Sequence, residues 1–155
     1  MSKPVRPVPD GYHTATPYLT VRGAAAAIDF YKRAFGATEL FRMPGPGGKV
    51  MHAEIVIGDS RVMLADESDR SETKAPETLK GSSTSIFLYV EDVDSSFKRA
   101  VSAGANVNQP LQNMFWGDRF GKVTDPFGHK WMLASHVEDL SPADMEERMA
   151  ALATP

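Results

Sequence analysis

Apolar and polar positions recur at two different periods along this chain, and the switches between them mark out its elements. The proline-rich start (Pro4, Pro7, Pro9) reads as an extended lead-in. Residues Thr14 to Val21 (TATPYLTV) alternate at period two and are rich in β-formers, which predicts a strand. In GAAAAIDFYKRAF, Ala24, Ile28, Tyr31 and Phe35 fall on one helical face, and Gly36 follows where a helix end favours a left-handed glycine. TELFRM predicts a second strand and PGPGG (Pro44 to Gly48) the turn leaving it. In VMHAEIVIG, Ala53, Ile55 and Ile57 share one face while His52 and Glu54 share the other, and RVMLA is its hairpin partner. This half reads βαβββ.

The same order then returns. TSIFLYV predicts a strand, and VDSSFKRAVSAG a helix with Val93, Phe97, Ala100 and Val101 on one face. ANVNQP, FGKVTD and KWMLAS are the next strands, with Asp125-Pro126-Phe127-Gly128 suited to a type I turn between the last two. Leu19 and Val21 superpose on Leu88 and Val90 at a shift of 69, as Met63-Leu64-Ala65 do on Met132-Leu133-Ala134. The helix ends, Gly36-Ala37 and Gly104-Ala105, match at 68, so one small indel separates two copies of a βαβββ unit.

Between the copies lies a polar stretch, DESDRSETKAPETLKGSS, with two readings: a solvated linker, or a lid or interface arm. After the second copy, SPADMEERMAAL opens as a capped helix with Ser141 at N-cap, Pro142 at N1 and Asp144 at N3. Its Met145, Met149 and Leu152 form a narrow stripe, either docked on its own subunit or offered to a partner. The expected layout of residues 1–155 is one domain: module one 12–67, linker 68–83, module two 84–136 and a C-terminal helix 141–152.

Composition narrows the chemistry. With no cysteine among 155 residues, thiol nucleophiles, Cys-ligated zinc and iron–sulfur clusters are excluded. Four histidines (His13, His52, His129, His136) limit any metal site, and a net charge of −3 argues against a nucleic-acid partner. No apolar run has the length of a membrane span, and the start carries no secretory apolar region, so a cytoplasmic protein without a membrane partner is expected. PGPGG lacks the strand–loop–helix context of a phosphate-binding loop, and no G-x-S-x-G elbow is present.

Two βαβββ copies with D-P-x-G-x-x-W near the end resemble the vicinal-oxygen-chelate superfamily, which includes glyoxalase I, extradiol dioxygenases and bleomycin-resistance proteins. The stretches MHAEIVIGDSRVMLAD and FWGDRFGKVTDPFGHKWM are similar to its PhnB-like branch, and the resemblance runs from about Tyr12 to His136. It implies an α+β fold whose tandem modules form a curved mixed sheet, a cup, with helices on the outer face and an extra C-terminal helix. It also implies a homodimer, with or without modules exchanged between chains. Thr16, Tyr18 and Thr20 would then face the cup in module one, and Ser85, Phe87 and Tyr89 in module two. His52, Glu54, Met63, Ala65, Met132 and Ala134 would complete the wall.

The resemblance also says where metal-dependent members carry ligands, on the first and last strands of each module. Those positions here are Thr16, Ser85, Met63 and Met132, which offer hydroxyls and thioethers in place of imidazole and carboxylate. The expected function is therefore a small-molecule-binding protein of the glyoxalase/bleomycin-resistance type, with no cofactor. Its ligand-binding candidates are Thr16, Tyr18, Met63, Ser85, Phe87, Tyr89, Trp116, Arg119 and Met132. Trp116 and Arg119 come from the aromatic-rich crossing Asn113–Phe120, which reads equally as cleft or as packing with an Asp118–Arg119 surface pair. Two alternatives stand. One is a lyase, isomerase or transferase holding a divalent metal on His52, Glu54 and a third ligand from His13, Asp118 or His136. The other is a metal-free acid–base enzyme with Glu54 as base and His52 orienting it.

Overall fold

The computed structural model describes residues 4–153, and the chain divides into two compact units between Gly81 and Ser82. Unit one runs β1 (Tyr18–Val21), α1 (Ala24–Phe35), β2 (Thr38–Pro44), β3 (Val50–Ile57), β4 (Ser60–Asp66) and a one-turn helix α2 (Pro76–Leu79). Unit two runs β5 (Ser85–Tyr89), α3 (Val93–Ala103), β6 (Asn106–Asn113), β7 (Asp118–Thr124), β8 (Lys130–His136) and α4 (Pro142–Leu152). Each unit is one four-stranded mixed sheet, ordered β1-β4-β3-β2 and β5-β8-β7-β6. In each, the first and last strands pair in parallel and the remaining pairs are antiparallel, so the fold is α+β with tandem βαβββ modules.

The duplication extends to pairing register. Tyr18 lies opposite Met63 as Phe87 lies opposite Met132, and Thr20 opposite Ala65 as Tyr89 opposite Ala134. Each helix lies against its own sheet through residues its period marks, except that Val101 of α3, expected on the same face, is 37% exposed. α1 buries Ala27, Ile28, Tyr31 and Phe35 among Val21, Ala53, Ile55 and Leu64. α3 buries Val93, Phe97 and Ala100, and Val123, Trp131 and Leu133 are buried in its sheet. Each fully buried large apolar side chain contributes about 1.5–3 kcal/mol, and these rows hold the strands that carry the site.

Helix starts are held from the sheet. Gly23 has no side chain to cap α1, and Asp66 at the end of β4 supplies the acceptor: its Oδ1 takes the Gly23 and Ala24 amides at 2.7 and 2.9 Å. Sixty-nine positions on, Ser135 of β8 does the same for α3, accepting from the Val93 amide at 3.0 Å. Asp92 adds a conventional cap on Ser95.

The D-P-x-G-x-x-W motif is a structural device. Asp125, 2% exposed, accepts through Oδ1 from the Phe127 and His129 amides at 2.8 and 3.0 Å, and through Oδ2 from the Trp131 indole at 2.9 Å. Gly128 takes φ +91°, which a side chain would resist, and closes the turn on the Asp125 carbonyl. One carboxylate thus fixes the β7–β8 turn and anchors the buried Trp131.

Several local expectations change. β1 begins at Tyr18 instead of Thr14, because Pro17 has no amide to donate; its carbonyl accepts from Met63. The polar segment after Asp66 is not wholly solvated: Ala75 and Pro76 are buried, and Thr73 shares a hydrogen bond with Thr20 at 2.8 Å. α4 has the expected capping box, but no buried residue. It is tied down by Arg148, which pairs with Glu138 and donates to the Phe115 carbonyl, leaving Met149 and Leu152 exposed.

Candidate functional site

In module one, period two along β3 puts Ala53, Ile55 and Ile57 under α1 and leaves His52 and Glu54 on the opposite face. The ladder sets Tyr18, Met63, Glu54 and Phe41 side by side across all four strands, with Met43 beside His52. Tyr18, Phe41 and Met43 are each more than 40% exposed, so the face offers aromatic and thioether surface to a ligand.

A hydrogen-bonded chain runs through this face. The Tyr18 hydroxyl meets His52 Nδ1 at 2.8 Å, and His52 Nε2 meets Glu54 Oε1 at 3.1 Å. Glu54 Oε2 accepts from the Tyr12 hydroxyl and lies 3.9 Å from Arg61. Arg61 stacks over the Tyr12 ring, 4.4 Å from its centroid, and donates to the carbonyls of Gly11 and Asp10. Gly11 takes φ +81°, which favours glycine, and the Arg61 guanidinium packs against it. The proline-rich lead-in is thereby fastened to the edge of the site.

These contacts set the protonation states. Hydrogen bonds from Tyr12 and then His52 hold the Glu54 carboxyl below the usual carboxylate range, against the upward push of burial. Burial raises the Tyr18 phenol, and burial followed by the bond to Glu54 raises that of Tyr12. Glu54 is therefore an acceptor only, so His52 Nε2 carries the hydrogen, and a neutral His52 presents bare Nδ1 to the Tyr18 hydroxyl. Beside this chain lies a cavity of about 440 Å³ lined by Tyr18, Thr20, Lys49, Met51, Asp66 and Thr73.

Module two carries a different set on the equivalent face. Tyr89 and the Trp116 indole both donate to Asp118 Oδ2 at 2.9 Å, and His136 Nδ1 meets Oδ1 at 2.9 Å. Burial pushes the Asp118 carboxyl up, but the bonds from His136, Tyr89 and Trp116 outweigh it and leave it below its ordinary value. The bonds to Asp118 and then Asp139 raise the His136 imidazole. Phe87, Tyr89, Phe120 and Trp116 form a linked aromatic surface, with neighbouring ring centroids 4.8–5.7 Å apart. Lys122 stands opposite Met132 as Glu54 stands opposite Met63, so the two modules carry opposite charges at matching places.

Of the residues singled out in the sequence, Tyr18, Met63, His52 and Glu54 come together on one face. Phe87, Tyr89, Trp116 and Met132 lie in module two, where Phe87 pairs with Met132. Ser85 is exposed at the first position of β5, and Thr16 precedes β1, its hydroxyl 3.5 Å from the His13 carbonyl. Arg119 is elsewhere. Period two along β7 puts it with Gly121 and Val123 on the helix side, where it grips Asp94 of α3 with two bonds of 2.7 Å. The expected Asp118–Arg119 pair is replaced by Asp118–His136 and Arg119–Asp94. Tyr12 and Thr73 were missed, sitting in stretches without periodicity. Arg61 was missed too, although it alternates with Met63.

The donor set does not fit a resident metal ion. Thr16, Ser85, Met63 and Met132 supply no imidazole or carboxylate. His52 spends both ring nitrogens on Tyr18 and Glu54, and the Arg61 guanidinium beside Glu54 opposes a second cation. Among the described residues, no group of three or more His, Asp or Glu side chains is placed to hold a metal.

Comparison with known proteins agrees with this architecture. The family model for the Glyoxalase/Bleomycin resistance protein/Dioxygenase superfamily matches residues 12–133. An uncharacterized protein of Mycobacterium bovis is 44% identical over 142 residues, covering 90% of this chain and 91% of that one. The crystal structure of TioX from Micromonospora sp. ML1 is similar at a TM-score of 0.62 and 31% identity, over 79% of this chain and 99% of that chain. A PhnB protein from Bacillus cereus shares the fold at a TM-score of 0.62 and 20% identity, over 79% of this chain and 99% of its own.

Proposed function

Because the chain belongs to the glyoxalase/bleomycin resistance protein/dioxygenase superfamily, we propose that it is a small-molecule-binding protein of the glyoxalase/bleomycin-resistance type that works without a bound metal. The observation that carries this reading is the module-one face, where exposed Tyr18, Phe41 and Met43 surround a His52–Glu54 pair already satisfied by Tyr18, Tyr12 and Arg61. Such a face gives contact area to an aromatic or largely apolar ligand, and its few polar atoms orient it. The adjoining cavity of about 440 Å³ has the size of a small-ligand pocket. In module two, Phe87, Tyr89, Trp116 and Met132 offer further contact surface of the same kind. Arg119, committed to Asp94, is left out of the binding set.

The reading includes a homodimer in the cytoplasm, to be checked by light scattering and fractionation. No helix among the described residues is long and apolar enough to cross a membrane. Binding is tested by thermal shift of the metal-stripped protein against a panel of aromatic and hydrophobic cationic antibiotics. Stabilisation by at least one, reduced by Phe41→Ala, is expected; stabilisation by none would leave the proposal without support.

A further inference from the structure

We infer that Tyr18, His52 and Glu54 form a proton-accepting relay, so that the module-one site selects aromatic ligands bearing an acidic hydroxyl. The inference rests on the binding reading above and adds the chemical class of the ligand. Its basis is the direction of the hydrogen bonds. Glu54 is ionised and can only accept, so it fixes the His52 hydrogen on Nε2 at 3.1 Å. In the imidazole tautomer with its single hydrogen on Nε2, Nδ1 is the acceptor and receives the Tyr18 hydroxyl at 2.8 Å. With its hydrogen turned inward, the Tyr18 oxygen keeps a lone pair for the open face, where the residue is 51% exposed.

A phenolic ligand stacked on Phe41 and Met63 would donate to that oxygen. The step balances within the chain. The ligand O–H bond breaks and its proton goes to Tyr18 Oη, while the original Tyr18 proton moves to His52 Nδ1. The products are a phenolate ligand hydrogen-bonded to a neutral Tyr18, and a His52 imidazolium beside the Glu54 carboxylate. No co-reactant is needed. This is the nucleophile–base–orienter arrangement with tyrosine in first place, and Glu54 acts as a positioning residue.

The groups facing the relay come from every neighbouring element. Arg61 of β4 and Tyr12 of the lead-in hold Glu54 from the far side. Lys49 and Asp66 line the adjoining cavity, where the Lys49 ammonium donates to the Glu67 carbonyl at 3.2 Å. Asp66 is occupied by the Gly23, Ala24 and Val50 amides. Lys49 is thus the rival that could stabilise a phenolate directly, and the experiment separates the two.

The probe is 4-nitrophenol, whose absorption band differs between phenol and phenolate, added to the intact protein below the pH at which the free probe ionises. Equilibrium dialysis measures binding and absorbance measures ionisation, independently. The bound probe is expected to show the phenolate band in the native protein; in Lys49→Met, which alters the cavity wall and weakens binding, the fraction that dialysis shows bound is expected to keep that band. Tyr18→Phe and His52→Gln, which keep the side-chain volume, are expected to bind it as the neutral phenol. Glu54→Gln is expected to bind it with the ionisation midpoint moved upward. A bound probe that stays neutral in the native protein overturns the relay and leaves the binding reading standing. Retention of the phenolate band in His52→Gln, or its loss in Lys49→Met, overturns it in favour of the lysine. Absence of binding to the native protein overturns the relay's ligand class, and the antibiotic panel then decides the binding reading separately.

Discussion

Replacing Asp125 by alanine removes the acceptor of at least three hydrogen bonds at once, and the cost follows from the setting of each. The Trp131 indole is fully buried and loses its bond to Asp125 at 2.9 Å, a broken buried hydrogen bond worth about 1–3 kcal/mol. The Phe127 and His129 amides lie in a part-buried turn and recover some bonding from water, leaving about 1 kcal/mol for each. The sum is about 3–5 kcal/mol, from which the relief of burying a carboxylate subtracts about 1 kcal/mol. A net loss near 3 kcal/mol is a large share of the roughly 5–15 kcal/mol that holds a typical domain, and lowers the melting temperature by about 6–12 °C for this length. Asp125→Asn keeps Oδ1 for the two amides but turns its amino group toward the indole, so it should lie between. Urea denaturation followed by far-UV circular dichroism measures both. A loss below about 0.5 kcal/mol for Asp125→Ala would refute the anchoring role. If Asp125→Ala does not fold, Asp125→Asn together with Trp131→Phe decides it: removing the indole donor should reduce the asparagine's penalty.

Three further outcomes are expected. The raised His136 imidazole means that its tie to Asp118 stabilises the fold fully below about pH 6.5 and loses that contribution as pH rises through the folded value. The stability advantage of the native protein over His136→Gln should therefore shrink from about pH 5.5 to pH 9, and an advantage that grows with pH would contradict it. Gly117→Ala should destabilise by about 2 kcal/mol or more, because position 117 sits at φ +97° and a Cβ would lie 2.3 Å from the Glu138 carbonyl oxygen; unchanged urea midpoints would count against this. Purified protein reloaded with Zn²⁺, Ni²⁺, Mn²⁺ or Fe²⁺ should bind sub-stoichiometric metal and melt at an unchanged temperature. Stoichiometric uptake lost in His52→Gln would restore the metal-dependent alternative.

How much of this was legible in the chain depended on whether a position belonged to a period. From His52 to Ile57 β3 alternates, so Ala53 and Ile55 point one way and His52 and Glu54 the other, in the sequence as in the structure. The match at 69 positions aligned Met63-Leu64-Ala65 with Met132-Leu133-Ala134, and the structure adds the partners, Tyr18 with Met63 and Phe87 with Met132. It also linked Asp66 to Ser135, but their capping role depends on Gly23 lacking a side chain and on the parallel pairing that brings β4 beside β1. Arg119 went astray because the Met114–Gly117 turn interrupts the alternation; counted back from buried Val123, it belongs to the helix side. Tyr12 and Thr73 could not be placed from sequence. Each reaches the site by a bond across more than 40 residues, from a segment with no pattern of its own.

The proposed relay and the proposed binding face ask different things of the same residues. Glu54 is kept ionised by Tyr12 and His52, which makes it a weak base and a firm anchor. The working atom is displaced outward to the exposed Tyr18 hydroxyl, among the rings and thioethers that would hold a ligand.

The central claim is that ligand binding on the module-one face needs no metal, and a paired titration tests it most directly. The chelator-treated protein and the same protein with added divalent ions are each titrated by calorimetry with a ligand found in the thermal-shift panel. Equal affinity and stoichiometry in both, with at least a tenfold weakening in Phe41→Ala (about 1.4 kcal/mol), is the predicted result. Binding that vanishes on chelation and returns with the ion would contradict it.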